Sequence, residues 1–190
     1  MTSWMYPGAR RAMRAQLFTG SVMPSFRSIR RVRHSPVDMF DLVADVEAYP
    51  KFLPLCQGLR VRRRATDDKG LEVIVADMEV GYRAIRETFT SRVTLDRASL
   101  SILVEYVDGP FRHLENRWTF RDEGKETPSC GVEFFIDYDF RSRTLGLLMG
   151  SMFDTAFRKF AEAFEKRADF VYGRRKLVAT PVNPAPAEEA

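Results

Sequence analysis

The sequence contains little of what a metal centre, a disulfide framework or a membrane span requires. Its 190 residues include two cysteines and two histidines. Cys56 and Cys130 share no metal-ligand spacing with His34 or His113, so we expect no metal site. Reduced, partly buried thiols are the expected state of such an isolated pair. No apolar run approaches the roughly 20 residues that a membrane-spanning helix needs.

Acidic residues are missing from the first part of the chain. The first one is Asp38, whereas residues 1–22 carry three arginines, so the rest is almost neutral despite a formal net charge of +4. Because the body lacks a strong basic surface, we expect no DNA partner. The basic cluster formed by Arg60 and Arg62–Arg64 is interpreted as charges that protect an exposed sheet edge. Anionic lipid headgroups or RNA are its alternative targets.

Composition divides the chain into three parts. Residues 1–22 are interpreted as a disordered extension outside the fold, with an import signal or a misplaced start as alternatives. Residues 174–190 are rich in proline and alanine without apolar periodicity, which predicts a disordered tail. We therefore expect one folded domain over residues 23–173.

The folded part begins with a strand and a capped helix. Residues 25–33 favour a strand. Residues 35–38, Ser-Pro-Val-Asp, then show a helix start, with serine at the N-cap, proline in the first helical position and an acid at the third. Pro50 is expected to end this helix, because a proline disfavours the helical conformation of the residue before it. A further short turn is expected over residues 51–53.

The middle of the chain alternates between apolar and polar residues. This period of two predicts strands with one buried and one solvated face. Leu114, Asn116, Trp118 and Phe120, for example, share an apolar face. Short separators such as residues 108–110, Asp-Gly-Pro, join consecutive strands and indicate an antiparallel meander.

Residues 145–170 change to a helical pattern. Polar residues recur every three or four positions beside a wide stripe of phenylalanine and methionine, which predicts a helix of about eight turns. The predicted fold is α+β, with a curved seven-stranded antiparallel sheet wrapped on this C-terminal helix. The element order is one strand, two short helices, six strands and one long helix. Such a helix-grip arrangement often leaves a cavity for a small apolar molecule.

Two motifs resemble those of a known family. Residues 46–56, VEAYPKFLPLC, are similar to the "DVE-YP-FLP-C" signature of the coenzyme Q-binding START-like proteins, part of the polyketide cyclase/dehydrase-like superfamily. Residues 108–111, Asp-Gly-Pro-Phe, followed by Leu114 and Trp118, are similar to their second signature, "DGPF…L…W". The resemblance covers nearly all of the folded part. It implies the START/Bet v 1-like version of the helix-grip fold.

The resemblance also implies a ligand. Most characterised members bind ubiquinone or a related polyprenyl lipid, so ubiquinone is the expected ligand and no catalytic cofactor is expected. The implied role is a lipid carrier or chaperone that supports respiratory electron transfer and touches the membrane surface transiently. The implied location is the bacterial cytoplasm, with the mitochondrion as the alternative.

The family also includes a ribosome-association toxin. The alternative function is therefore a toxin-like protein that binds the large ribosomal subunit and blocks subunit joining. Enzyme activity is not expected, because the sequence frames no nucleophile, phosphate loop or paired acid and base. Cyclase or dehydrase chemistry ranks lowest, and no catalytic residue is predicted.

The predicted ligand-binding residues fall into three groups, for each of which ordinary core packing is the alternative. Those expected at the cavity mouth are Tyr49, Pro50, Phe52 and Phe111. Those that offer a polar group from an apolar face are Tyr106, Asn116 and Trp118. Those on the long helix, chosen as adaptable or small wall residues, are Met149, Met152, Phe153, Ala156 and Phe160.

Overall fold

The computed structural model describes residues 24–173, apart from 83–84 and 125–127, with all side chains in that span except those at 82, 145 and 147–155. The predicted extension, 1–22, and tail, 174–190, lie outside the described residues. The bounds of the domain, 23–173, therefore stay a prediction.

The described elements follow the predicted order. The strands are β1 Ser25–Val32, β2 Cys56–Thr66, β3 Glu72–Tyr82, β4 Ile85–Asp96, β5 Ser101–Asp108, β6 Phe111–Asp122 and β7 Cys130–Phe140. The helices are α1 Pro36–Ala44, a 3-10 helix Val46–Lys51 and the long α2 Arg143–Tyr172. The α+β class and the helix-grip order predicted from the sequence are confirmed.

The seven strands form one antiparallel sheet in the order β1-β7-β6-β5-β4-β3-β2. β1 and β2 are thus the two edges, and α1 with the 3-10 helix carries the chain from one edge to the other. Register shifts interrupt β2 twice, β5 at Val107 opposite Thr90 and Ser91, and β6 between Phe111 and His113. Because bulges bend a strand and increase its twist, they curve the sheet around α2.

The start of α1 has the predicted cap. The Ser35 hydroxyl accepts a hydrogen bond from the Asp38 amide at 3.1 Å, and the Asp38 carboxylate accepts one from the Ser35 amide at 3.4 Å. Pro36 occupies the first turn, where a missing N–H costs nothing. This reciprocal arrangement satisfies two amides that the helix itself leaves unpaired.

The predicted end of the first helix is wrong. α1 stops at Ala44, and Asp45 leaves the helical conformation with φ −77° and ψ 66°. Pro50 lies inside the following 3-10 helix instead of ending α1. The fixed φ of proline, about −65°, fits a 3-10 turn, and so short an element loses little when one amide cannot donate.

The core lies between the concave face of the sheet and α2. β7 shows the predicted alternation most clearly, with Val132, Phe134, Ile136, Tyr138 and Phe140 all buried. At 30 residues, α2 is about 45 Å long, enough to cross the sheet. Phe157, Phe164 and Ala168 are the helix positions that bury most deeply among those described.

Candidate ligand-binding cavity

An apolar cavity of about 200 Å³ lies between the sheet and α2. Its walls come from the inner faces of the strands, from α1, from the 3-10 helix and its following loop, and from one side of α2. Apolar cavities of roughly 150 Å³ hold a benzene molecule and stay free of water. The space therefore suits a substituted ring or a group of similar size.

Asn116 places an amide inside this apolar surface. Its register partners are Val104 on β5 and Ile136 on β7, and all three line the cavity. Its Oδ1 is buried and has no hydrogen-bond partner among the described residues. An unsatisfied buried acceptor costs about 1–3 kcal/mol, so this atom is suited to a ligand that carries a donor.

Trp118 lies two residues further along the same face of β6 and also lines the cavity. Its ring centroid is 4.5 Å from that of Phe134 and 5.3 Å from that of Phe164. The indole thus joins the sheet to α2 across one end of the cavity. Tilted and edge-to-face ring pairs of this kind stabilise the packing of the cavity wall.

A second aromatic group stands where the 3-10 helix meets α2. The rings of Tyr49, Phe52 and Phe164 contact one another edge to face, with centroids 5.3–5.9 Å apart. The Tyr49 hydroxyl donates to the Val43 carbonyl at 2.5 Å, and burial raises the pKa of this phenol far above its usual range. Tyr49 lines the cavity, whereas Phe52 lies behind it and Pro50 is exposed.

The remaining predicted mouth residue, Phe111, lines the cavity from the start of β6. It belongs to a different aromatic group from Tyr49, because its ring packs against Phe89, Tyr106 and Phe140. Tyr106 does not line the cavity, and its hydroxyl donates to the Gly109 carbonyl at 2.7 Å. Its polar group therefore holds the β5–β6 turn.

On α2, two of the predicted wall residues, Ala156 and Phe160, line the cavity. The other three, Met149, Met152 and Phe153, belong to α2, but their side chains lie outside the described residues. Phe157, Ala161 and Phe164 also line the cavity from α2 and are not among the predicted residues. Their spacing of three and four on the apolar stripe is the signal in the sequence that indicates them.

The rim of the cavity contains charged residues that are not among the predicted ones. Ser28 and Arg30 on β1 and Glu165 on α2 line the cavity, and the guanidinium of Arg30 lies 3.6 Å from the Glu165 carboxylate. Both charged side chains are 37% exposed, so the pair stands where the cavity meets solvent. The alternation of β1, with Phe26 and Val32 on the same face, is the available signal.

The histidines and cysteines lie outside this lining. His34 bonds to Asp169 at 2.9 Å, and His113 bonds to Asp137 at 3.0 Å. Both thiols are free and buried, and burial raises the pKa of Cys56 to about 11 and of Cys130 to about 12. The two thiols therefore stay protonated at neutral pH, a poor state for a nucleophile.

The arginine cluster on β2 is largely neutralised. Arg60 and Arg62 bind Asp77 at 3.3 and 2.7 Å, and Arg64 bridges Glu47 and Glu72. Three of the four arginines are thus paired within the domain, and Arg63 is exposed, so the cluster forms a largely paired sheet edge more than a binding site for a polyanion. No described helix carries an apolar stretch long enough to cross a bilayer.

A curved antiparallel sheet closed over an apolar cavity by a long C-terminal helix defines the chain as a START-like helix-grip domain. Residues 32–165 match the family described as polyketide cyclase/dehydrase and lipid transport. Over 154 residues the chain is 34% identical to the ribosome association toxin RatA of Escherichia coli, covering 81% of this chain and 92% of that protein. Over 135 residues it is 34% identical to the mitochondrial coenzyme Q-binding protein COQ10 of Drosophila melanogaster, covering 70% of this chain and 53% of that one.

Solved structures give the same result. An 18 kDa protein from Caulobacter crescentus is 34% identical, with a TM-score of 0.66 over 80% of this chain and 100% of its own. The Zhui aromatase/cyclase of Streptomyces is 16% identical, with a TM-score of 0.64 over 77% of this chain and 94% of its own, and it shows the fold alone. The chain belongs to the polyketide cyclase/dehydrase and lipid transport family, which confirms the resemblance seen in the two motifs. The relatives named above by sequence are binding or association proteins, although an enzyme shares the fold.

Proposed function

We propose that this protein binds ubiquinone or a related polyprenyl lipid in the cavity between the sheet and α2. The observation that carries the proposal is an apolar cavity with the buried amide oxygen of Asn116 in its wall, an acceptor without a partner among the described residues. Burial of the ring and part of the isoprenoid tail drives binding at about 25 cal/mol per Å² of apolar surface, before the costs of association. The likeness to coenzyme Q-binding relatives supports this ligand.

An amide suits a ligand that changes redox state. The Asn116 oxygen accepts a hydrogen bond from a quinol hydroxyl, and the NH₂ group of the same amide donates one to a quinone carbonyl. Either form of the ring is therefore oriented by one side chain. The tail follows the apolar wall toward the rim at Arg30 and Glu165.

The proposed role is that of a carrier or chaperone for the lipid, and not that of an enzyme. It supports respiratory electron transfer by loading and unloading at the membrane surface. The proposed location is the bacterial cytoplasm, with transient contact to the membrane, and the mitochondrion is the alternative. The naming of relatives as binding proteins supports this role.

The test is a ligand analysis with a matched pair of alanine-to-phenylalanine variants. Lipid extracted from the purified protein is searched for prenyl quinones by mass spectrometry. A short-chain ubiquinone and its reduced quinol are each titrated against tryptophan fluorescence in a Trp4→Phe background, in which Trp118 is the remaining tryptophan. Ala156→Phe fills the cavity and is expected to abolish binding. Ala98→Phe, in the exposed turn between β4 and β5, is expected to bind like the wild type.

Two results would contradict the proposal. One is the recovery of no prenyl quinone together with no response on titration. The other is equal weakening by Ala156→Phe and Ala98→Phe, since that would show that the loss does not come from filling the cavity.

Association with the ribosome is the second candidate function. It is favoured by one observation, the match to ribosome association toxins over 92% of their length, against 53% for the mitochondrial relative. The protein would then bind the large ribosomal subunit and block subunit joining. Overexpression followed by sucrose-gradient sedimentation tests this, and an unchanged ratio of free subunits to joined ribosomes would exclude it.

A further inference from the structure

A second concave surface lies on the outer side of α2, next to the loop that follows the 3-10 helix. Its main residues, which we call the basic–aromatic groove, are Phe52, Pro54, Lys159, Lys166, Arg167 and Phe170. Glu162 is the acidic residue in its lining. The groove therefore combines positive charge with aromatic and apolar surface at the C-terminal half of α2.

The cations of the groove are not neutralised by the domain. Among the residues that the structure describes, Lys159, Lys166 and Arg167 take part in none of the ion pairs, whereas Arg60, Arg62 and most other arginines of the sheet do. Lys159 and Lys166 are exposed. Unpaired cations on one face leave a local positive potential that attracts an anionic surface.

The aromatic residues of the groove are placed around one of these cations. The guanidinium of Arg167 lies 5.6 Å from the ring centroid of Phe52 and 5.3 Å from that of Phe170. Phe170 is 79% exposed, the most exposed large hydrophobic residue of the described chain. An exposed phenylalanine beside cations is typical of a protein surface that inserts into the interfacial region of a bilayer.

The groove also adjoins the wall of the cavity. In the loop after the 3-10 helix, Phe52 and Pro54 line the groove, whereas Leu53 and Leu55 line the cavity. The Phe52 ring contacts that of Phe164, which forms part of the cavity wall. A surface bound at the groove is thus separated from the cavity by a single layer of side chains.

We propose that the basic–aromatic groove docks the protein on a bilayer that contains anionic phospholipid. The three cations face lipid phosphates, and Phe170 enters the headgroup region. The choice of a bilayer over RNA rests on the proposed function, because a carrier of a membrane lipid must load at a membrane. The next residues of the chain, Arg174-Arg175-Lys176, add positive charge to the sequence that follows α2.

The experiment is co-sedimentation of the full chain with vesicles of phosphatidylcholine, with and without about 30% phosphatidylglycerol. We expect binding to the anionic vesicles that weakens with added salt, because screening acts on exposed charges. Each cation near an anionic surface contributes about fivefold to binding, so the triple variant Lys159→Gln, Lys166→Gln, Arg167→Gln should bind about 100-fold more weakly. Phe170→Ser keeps the charge and should also reduce binding.

Two control variants remove exposed cations or an exposed apolar side chain from parts of the surface outside the groove. Arg63→Gln, Lys69→Gln, Arg92→Gln deletes three exposed cations from the sheet side, and Ile29→Ser deletes an apolar side chain that is 66% exposed. Both are expected to bind vesicles like the wild type. All variants are checked for an unchanged melting temperature and unchanged ubiquinone titration.

Three outcomes would overturn docking at this groove. They are equal binding to neutral and anionic vesicles, equal loss in the groove and control variants, and retention of RNA by the groove without any binding to vesicles. Failure of the proposed function can be distinguished from failure of docking. Ala156→Phe should lose quinone binding but still bind vesicles, and a wild type that binds no quinone would not change the result of the vesicle assay.

Discussion

Asn116 is a polar residue at a position where the neighbouring strands supply valine and isoleucine. Its buried oxygen, an acceptor without a partner in the described part of the chain, makes the unliganded domain less stable, and the hydroxyl of a bound quinol is proposed to remove that cost. Asn116→Leu should therefore keep or raise the free energy of unfolding, by up to about 1 kcal/mol. The same change should weaken binding of the reduced quinol by about 5- to 10-fold, because the hydrogen bond that its hydroxyl donates to Oδ1 is lost.

Urea denaturation and the fluorescence titration measure the two effects of this substitution separately. Val104→Leu, at the register partner on β5, is the control, because it changes the apolar volume of the wall without removing a polar group. A variant at Asn116 that loses stability but binds the quinol normally would show that the amide serves the fold and not the ligand.

The backbone conformation and the close contacts at Gly109 explain why the second family motif contains a glycine. Its φ is +131°, and a Cβ at this position would lie 2.8 Å from the Thr88 carbonyl and from the Phe89 side chain. Gly109→Ala should therefore lower the free energy of unfolding by about 2–4 kcal/mol, through backbone strain and overpacking.

Gly70→Ala, in the turn between β2 and β3, is the comparison for Gly109→Ala. Gly70 also has a positive φ, +80°, but no atom of the described chain lies within 4 Å of the place that a Cβ would take. We therefore expect a cost of only about 1 kcal/mol. Urea unfolding of both variants gives the difference. Equal costs would show that the close contact with β4 is not what requires glycine at position 109.

At the scale of elements, Asp77 ties three strands together on the outer face of the sheet. It accepts hydrogen bonds from Thr90 on β4 at 2.7 Å and from Arg60 and Arg62 on β2. Burial opposes its ionisation, yet these donors, Arg62 first, hold the pKa of the carboxyl below its ordinary value. The network therefore stabilises the fold only when Asp77 is ionised.

The sign of the pH dependence follows from the lowered pKa of Asp77. Its contribution is complete above the unfolded pKa of about 3.9 and is lost as the pH falls through the folded pKa. Asp77→Asn should cost about 1–3 kcal/mol at pH 7, and this difference from the wild type should shrink below about pH 4. Unfolding curves recorded from about pH 7 to about pH 3 measure it.

Asp139→Asn is the control for this element. Asp139 is 41% exposed and lies 3.8 Å from Arg112, a surface pair that contributes about 1 kcal/mol at most. Its removal should change stability little at any pH. A pH-independent cost for Asp77→Asn would mean that the side chain acts through packing alone.

The elements differ in how well local sequence predicts them. The cap at Ser35, the alternation of β6 and β7 and the length of α2 follow from periodicity and hydrogen-bonding rules that act within a few residues. The end of α1 does not, because Pro50 is as compatible with a 3-10 turn as with a break. The pairing of Arg30 with Glu165 also escapes prediction, since it depends on an edge strand meeting a helix from the other end of the chain.

The same limit applies to the site. Motifs and apolar faces predict six residues that do line one cavity, namely Tyr49, Phe111, Asn116, Trp118, Ala156 and Phe160. Pro50, Phe52 and Tyr106 occupy equivalent positions in the first motif or on the apolar face of a strand, but their side chains do not line the cavity. Which side of a loop a residue presents is set by packing between distant elements, and no local pattern records it.

At the scale of the whole molecule, the cavity is a packing defect that lowers the stability of the folded state. At about 24 cal/mol per Å³, an apolar void of about 200 Å³ costs about 5 kcal/mol relative to a filled core. That cost is comparable to the entire stability of a small domain, about 5–15 kcal/mol. A ligand that fills the void therefore stabilises the folded state strongly.

This linkage makes thermal unfolding a measure of cavity occupancy. Ubiquinone at about 100 times its Kd should stabilise the protein by about 2.7 kcal/mol, which corresponds to a rise in Tm of about 5–10 °C. Ala156→Phe, which places a ring in the void, should melt at or above the unliganded wild type and show no further rise with ligand. The contrary result is a variant that melts below the unliganded wild type and still responds to ubiquinone. It would mean that the ligand stabilises the domain from a different site, because a filled cavity has no space left for it.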